Sequence, residues 1–172
     1  RQGQAHSGLR SHSSGGLGNV LHLLVRGDAE MVVIDGFLKD IWLECCGHMS
    51  CFRNTNFEIS KSQKVGNVFM SRAKIVHDYD FGDTTRVMLH GLKSYQLNLK
   101  EKTILLSRNE PLKIMCSICG KKPAVNLCTA CNQEDYAFFC KSCSKKHEKK
   151  CEDFANYACM PVVNSPRMGV CG

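Results

Sequence analysis

Residues 116–151 read CSICGKKPAVNLCTACNQEDYAFFCKSCSKKHEKKC. The stretch sets seven cysteines and one histidine in four pairs: Cys116-x-x-Cys119, Cys128-x-x-Cys131, Cys140-x-x-Cys143 and His147-x-x-x-Cys151. Eight soft ligands in one short segment match the stoichiometry of two tetrahedral zinc ions. Two Zn2+ are therefore the expected cofactors. The few large apolar residues of this stretch and its approach (Ile114, Ile118, Val125, Leu127, Tyr136, Phe138 and Phe139) are too few for a core. Metal binding would supply the missing folding free energy, of order ten kcal/mol per site in small zinc peptides.

Two pairings of the ligands are possible. A sequential scheme assigns Cys116, Cys119, Cys128 and Cys131 to one ion and the remaining four to the other. An interleaved cross-brace joins the first pair to the third and the second pair to the last. Ser144 to Glu152 is rich in Lys and Glu and reads as helix. If one helix runs from Cys143 to Cys151, these two are separated by about 12 Å of rise. Thiolates lie only about 2.3 Å from their zinc, so the two could hardly share an ion. His147 and Cys151, one turn apart, could. The spacing thus favours Cys116, Cys119, Cys140 and Cys143 on one ion, with Cys128, Cys131, His147 and Cys151 on the other.

Other chemistry in the segment is weaker. His147-Glu148-x-x-Cys151 is superficially like the H-E-x-x-H metalloprotease helix, but thiolate-saturated zinc offers water no open position. Redox dithiol work would need one C-x-x-C pair rather than three. Lys145, Lys146, Lys149 and Lys150 could touch phosphates, although such a run is more often a solvated face.

Working towards the N-terminus, Asn109-Glu110-Pro111 marks a boundary. The preceding residues suggest an α+β domain over 19–110. Asn19 to Arg26 reads as a buried strand, and Asp28 as the N-cap of a helix carrying Ile34, Phe37, Leu38, Ile41, Trp42 and Cys45 on one face, with Gly47 as its stop. Cys51 to Ile59 suits a strand pair. Lys61 to Gly66 reads as a surface loop. Lys74 to Tyr79 and Thr84 to Leu89 read as strands about the turn Asp80-Phe81-Gly82-Asp83, and Thr103 to Leu106 as a further strand. Residues 1–18 are polar, rich in Ser, Gly and His, and are expected to be a loose segment and a trimmed or incomplete N-terminus. Residues 111–155 are expected to form the zinc module, and 156–172 a tail packing on the first domain.

Cys45-Cys46-Gly47-His48 is the second concentration of soft ligands. A third metal using Cys45 or Cys46, His48, Cys51 or Cys171 competes with small buried cysteines closing the core. Asp78, Asp80 and Asp83 fail the calcium-loop spacing, with Leu89 where a bidentate Glu should fall. They read as turn-forming acids.

The 172 residues carry 12 cysteines and a formal charge of +7. Close C-x-x-C pairs without an export signal favour reduced thiolates in a cytoplasmic setting. No apolar run approaches the roughly 18 residues of a membrane span. Seven thiolates remove seven positive charges and two dications restore four, so +7 becomes +4. That mild balance argues only weakly for nucleic acid as a partner.

Three stretches resemble the plasmid pRi open-reading-frame-three-like family, in its cysteine-rich members. Residues 37–48 (FLKDIWLECCGH) look like its helix motif, 79–83 (YDFGD) match its turn, and 160–172 (MPVVNSPRMGVCG) are similar to its ending. The resemblance covers roughly residues 19–172. It implies an α+β fold with a β-grasp-like mixed sheet and one main helix, plus a small C-terminal two-zinc cross-brace module. It implies no catalytic residue. The family's opening strand has no recognisable counterpart here.

The functional expectation is a non-enzymatic, zinc-stabilised interaction or scaffold module with a protein partner. The alternatives are a nucleic-acid-binding accessory protein of plasmid or mobile-element origin, using the lysines at 145–150 and Arg167, and an enzyme dependent on thiols (Cys45, Cys46), His48 or the acids of the YDFGD turn.

Overall fold

A computed structural model of the chain describes residues 5–13, 18–43, 46–70, 72–131 and 137–170. The chain divides into two compact units, Arg1–Asn109 and Glu110–Gly172.

In the first unit, strands β1 (Ala5–Ser13), β2 (Val20–Arg26), β3 (Ser50–Arg53), β4 (Glu58–Ile59), β5 (Lys74–Tyr79), β6 (Thr85–Gln96) and β7 (Thr103–Arg108) form one sheet in the order β4-β3-β5-β6-β1-β2-β7. Helices α1 (Met31–Leu38) and α2 (Val65–Val68) interrupt the strands. The α+β class holds. Among the described residues every pairing in this sheet is antiparallel, however, where a mixed sheet was expected.

Side-chain alternation decides which face is covered. Along β6, Thr85, Val87 and Leu89 are buried while Arg86 is exposed and Met88 and His90 are half-buried. Ile75 and Leu89 are partners across β5 and β6, and they share one core with Leu21, Leu23, Val25 and Phe52. Met31, Ile34 and Leu38 of α1 close that core, with Val65 of α2. Each such fully buried side chain stabilises by about 1.5–3 kcal/mol.

The N-terminal expectation is overturned. Residues 5–13 are no loose segment: β1 is an inner strand, hydrogen-bonded to β2 on one side and β6 on the other. Composition concealed it because Leu9 is its single large apolar residue, fully buried. Gly8 serves the packing, since a Cβ there would stand 3.2 Å from the Lys93 carbonyl oxygen.

The main helix is also shorter than expected. Asp28 does not cap it but pairs with Arg26 at 2.6 Å, and Glu30 occupies the N-cap. After Leu38 the backbone widens into a π-helical turn, Lys39–Leu43, which seats Trp42 and Leu43 in the core. Gly47 follows with φ of 70°, a left-handed conformation that glycine adopts without strain. Cys45 lies outside the described residues. Part of the expected loop at 61–66 is helical, because Val65 is buried as the start of α2.

The second unit contains strands β8 (Asn126–Cys128), β9 (Phe138–Phe139) and β10 (Cys159–Pro161), helix α3 (Lys141–Glu148) and a π-helical turn at Phe154–Ala158. Its sheet order is β10-β8-β9. In the segment from 156, β10 pairs with β8, and Gly169 packs so close to Leu127 that a Cβ would meet its Cδ1 at 3.1 Å. The backbone of β8 had an open edge to satisfy. The Thr129 N–H donates to the Ala158 carbonyl at 3.0 Å and the Val125 carbonyl accepts from the Val162 N–H at 2.9 Å, while Pro161, which has no N–H, falls at a non-hydrogen-bonded position. No described helix is long and apolar enough to cross a membrane.

Candidate metal centre

Each ligand pair stands on a turn or helix that aims both side chains one way. Cys116 opens a tight turn, closed by the Gly120 N–H donating to the Cys116 carbonyl at 2.8 Å, with Gly120 at φ 60°. Cys128 ends β8, and Cys131 follows on the next turn. Cys140 is the extended N-cap residue of α3, so Cys143 falls in its first turn and His147 one turn later. Cys151 lies just beyond the helix, its N–H donating to the His147 carbonyl at 2.9 Å.

These elements gather the eight candidate ligands into two groups, Cys116/Cys119/Cys140/Cys143 and Cys128/Cys131/His147/Cys151. Within each group the ligand atoms all lie within 4.8 Å of one another. The grouping is the interleaved one. Sulfurs about 2.3 Å from a tetrahedral centre stand about 3.8 Å apart, whereas a disulfide brings them to about 2.0 Å. Cys119 Sγ and Cys140 Sγ are 3.9 Å apart, Cys131 Sγ and Cys151 Sγ 3.9 Å, and Cys131 Sγ and His147 Nε2 3.7 Å. The spacing fits a cation at each centre and leaves the sulfurs too far apart for covalent bonds.

Electrostatics points the same way. Burial, then the neighbouring Cys140 and Cys116, push the Cys143 thiol up to about 12. Burial, then Cys128 and Cys151, do the same to Cys131, also to about 12. Cys140 is drawn down to about 6 by the Ser142 hydroxyl, 3.3 Å away, and by N–H groups at the start of α3. Cys116 is lowered against burial by backbone N–H groups of its own turn and of Cys140. Thiols at contact distance resist joint ionisation, and a divalent cation removes that conflict. Burial lowers His147, which favours the neutral imidazole a metal requires.

Two aromatic residues fix His147, and spacing alone does not reveal them. Phe139 stacks on the imidazole with centroids 4.3 Å apart and planes 19° from parallel. Phe154 meets it edge-on at 4.9 Å. An eighth cysteine sulfur stands nearby. Cys159 is the direct partner of Cys128 in the β8–β10 ladder. The Cys128 N–H turns away to the Ala137 carbonyl, while the Thr129 N–H reaches the Ala158 carbonyl. Cys128 and Cys159 therefore occupy a non-hydrogen-bonded position, where cross-strand side chains approach most closely. The exposed Cys159 is in neither four-membered group.

The remaining candidates gather less. Cys171 and Cys45 lie outside the described residues. Among the described residues Cys46, His48 and Cys51 form no third group of three or more metal-ligating side chains. The two motifs do meet at one point: His48 Nε2 is 3.6 Å from Asp80 Oδ2, and the His48 N–H donates to the Tyr79 hydroxyl. Asp80 adopts φ 64° and accepts from the Gly82 N–H at 3.0 Å, confirming its role in the turn. Asp78 is held between Arg53 and Arg86 at 2.6 and 2.8 Å. Asp83 is exposed. Arg167 is only 6% exposed, so it is withdrawn from phosphate contact, whereas Lys145, Lys146, Lys149 and Lys150 are all exposed.

No family model matches the chain, and no curated protein does. Among solved structures, the chain is similar to the crystal structure of protein of unknown function MM3350 from Methanosarcina mazei Go1, with a TM-score of 0.53 and 15% identity over 61% of this chain and 69% of that one. At that identity the likeness is one of fold. What the chain itself presents is an antiparallel α+β unit followed by two four-ligand groups compatible with two metal ions.

Proposed function

We propose that the chain is a non-enzymatic, zinc-stabilised interaction module in which two structural Zn2+ ions hold the second unit in a fixed shape for a protein partner. The observation behind this reading is the closure of both groups: each supplies four protein ligands, all sulfur in one and three sulfurs with one imidazole in the other. Soft tetrahedral sets of this kind select zinc and leave no position for substrate. The ordered motifs at 37–48, 79–83 and 160–172 support placing the chain in the plasmid pRi open-reading-frame-three-like family, and the reduced thiolates that zinc needs support a cytoplasmic setting.

Native mass spectrometry of protein purified without added metal tests the reading. Two zinc ions per chain are expected, and a metal-free or disulfide-bonded second unit overturns it. The four exposed lysines on and after α3 favour a second reading, a nucleic-acid-binding accessory protein. Its affinity for DNA or RNA would fall steeply with added salt. Salt-insensitive or absent binding removes it.

A further inference from the structure

The first unit contains a cavity of about 230 Å³ at the joint between β1, β6 and the segment after α2. Two backbone irregularities shape it. The β1–β6 register runs Gly8↔Lys93 and then Leu9↔Gly91, so Leu92 is an extra residue in a bulge. Bulges re-aim side chains and concentrate beside functional sites. Arg72 holds a left-handed φ of 54°, a conformation uncommon outside glycine and found at ligand clamps.

The lining divides by chemistry. Gly8, Gly91 and the buried Phe69 are small or apolar. Met70 and Leu92 also line it, although 77% and 45% exposed. Arg72 and Lys93 bring two cations to the same cavity. Among the described residues neither has a carboxylate within ion-pair distance; Lys93 Nζ instead stands 5.6 Å over the Tyr95 ring. Several other cations in this unit are matched: Arg26 with Asp28, Lys64 with Glu30, Arg53 and Arg86 with Asp78. The sheet adds positive charge close by. Lys74 and Arg10 are both exposed and both are ladder partners of His90, the residue before Gly91.

We propose that this cavity binds a small amphiphilic anion, a phosphate monoester or carboxylate on a compact apolar body, with Arg72 and Lys93 on the anionic group and Phe69, Met70 and Leu92 around the apolar part. Its volume falls below the roughly 300–1,000 Å³ typical of drug-sized ligands, which sets the ligand's size. Unmatched cations beside exposed apolar side chains call for a partner with both properties. The site uses no residue of the metal groups and is independent of them.

Amide shifts of the isotope-labelled full chain, titrated with phenyl phosphate and with benzoate, test the proposal. At least one of these should shift the amides of Gly8, Phe69, Arg72 and Gly91 to Ser94 saturably, and the stronger of the two identifies the anionic class. Arg72→Gln and Lys93→Gln should each weaken that binding roughly tenfold, the scale of a charged hydrogen bond, while leaving the rest of the spectrum unchanged. Silence from both ligands overturns the proposal. So does an equal response to benzyl alcohol or to inorganic phosphate, or binding unaffected by both substitutions.

Discussion

The imidazole of His147 lies nearly parallel to the ring of Phe139, centroids 4.3 Å apart, with Phe154 edge-on to both. The only nitrogen ligand of the second group is thus oriented by packing. Groups that orient a metal ligand typically contribute 10–100-fold to metal affinity. Phe139→Leu keeps an apolar side chain but loses the flat face. It should weaken zinc at the Cys128/Cys131/His147/Cys151 group about tenfold while sparing the all-cysteine group. Competition with a chromophoric chelator, resolved into two release steps, measures this. Equal weakening of both steps would show general loosening instead.

Cys128 and Cys159 face each other across β8 and β10, yet only Cys128 belongs to a four-ligand group. Cys128→Ser should lower the bound zinc from two ions to one. Cys159→Ser should leave two. Metal content of the purified variants decides the matter, and loss of an ion from the Cys159 variant would revise the ligand set.

Strong chelation should separate the two units. The first has a continuous apolar core from Leu9 to Leu89, whereas the second gathers its buried residues around cysteines, with Phe139, Phe154 and Ala158. Removing the ions should therefore abolish amide-exchange protection across α3 and β8 while strands β2, β5 and β6 stay protected. Protection surviving in α3 would mean that side-chain packing alone suffices there.

These contrasts explain what could be read from the residues. The grouping of the eight candidate ligands was legible because it rests on a local rule: α3 ends at Glu148, short of Cys151, yet it still carries the chain far enough along its axis to put Cys143 and Cys151 in different groups. The hairpin around YDFGD was legible because its turn chemistry and alternating strands are both local. Strand β1 was not, since its burial comes from pairing on both edges and only Leu9 marks it. Pairing of Cys159 to Cys128 and the Phe139 stack likewise depend on contacts distant in sequence. Arg167 looked like a surface cation in a polar tail, and only tertiary packing removes it from solvent.

Asp35 anchors α1 to the strands through several partners at once. It accepts from the Ser50 hydroxyl at 2.6 Å and from Lys61 Nζ at 2.9 Å, and its Oδ1 lies 2.7 Å from His77 Nε2. Burial alone would raise its pKa, but hydrogen bonds from His77, Lys61 and Ser50 outweigh it and hold the carboxyl well below the usual range. A carboxyl lowered in the folded state contributes stability that is fully present above its unfolded value of about 3.9 and is lost as pH falls towards the folded value. The first unit should therefore weaken progressively below about pH 4. Asp35→Asn keeps the shape and removes the charge, leaving Lys61 and the fully buried His77 without their carboxylate. Lys61 is one-third exposed at its side chain, so water compensates part of the loss. We expect about 2–3 kcal/mol of destabilisation at neutral pH. Denaturant melts at pH 7 and pH 3 check both halves: the difference between the two proteins should shrink at the lower pH, and an undiminished gap would assign the loss to packing rather than to charge.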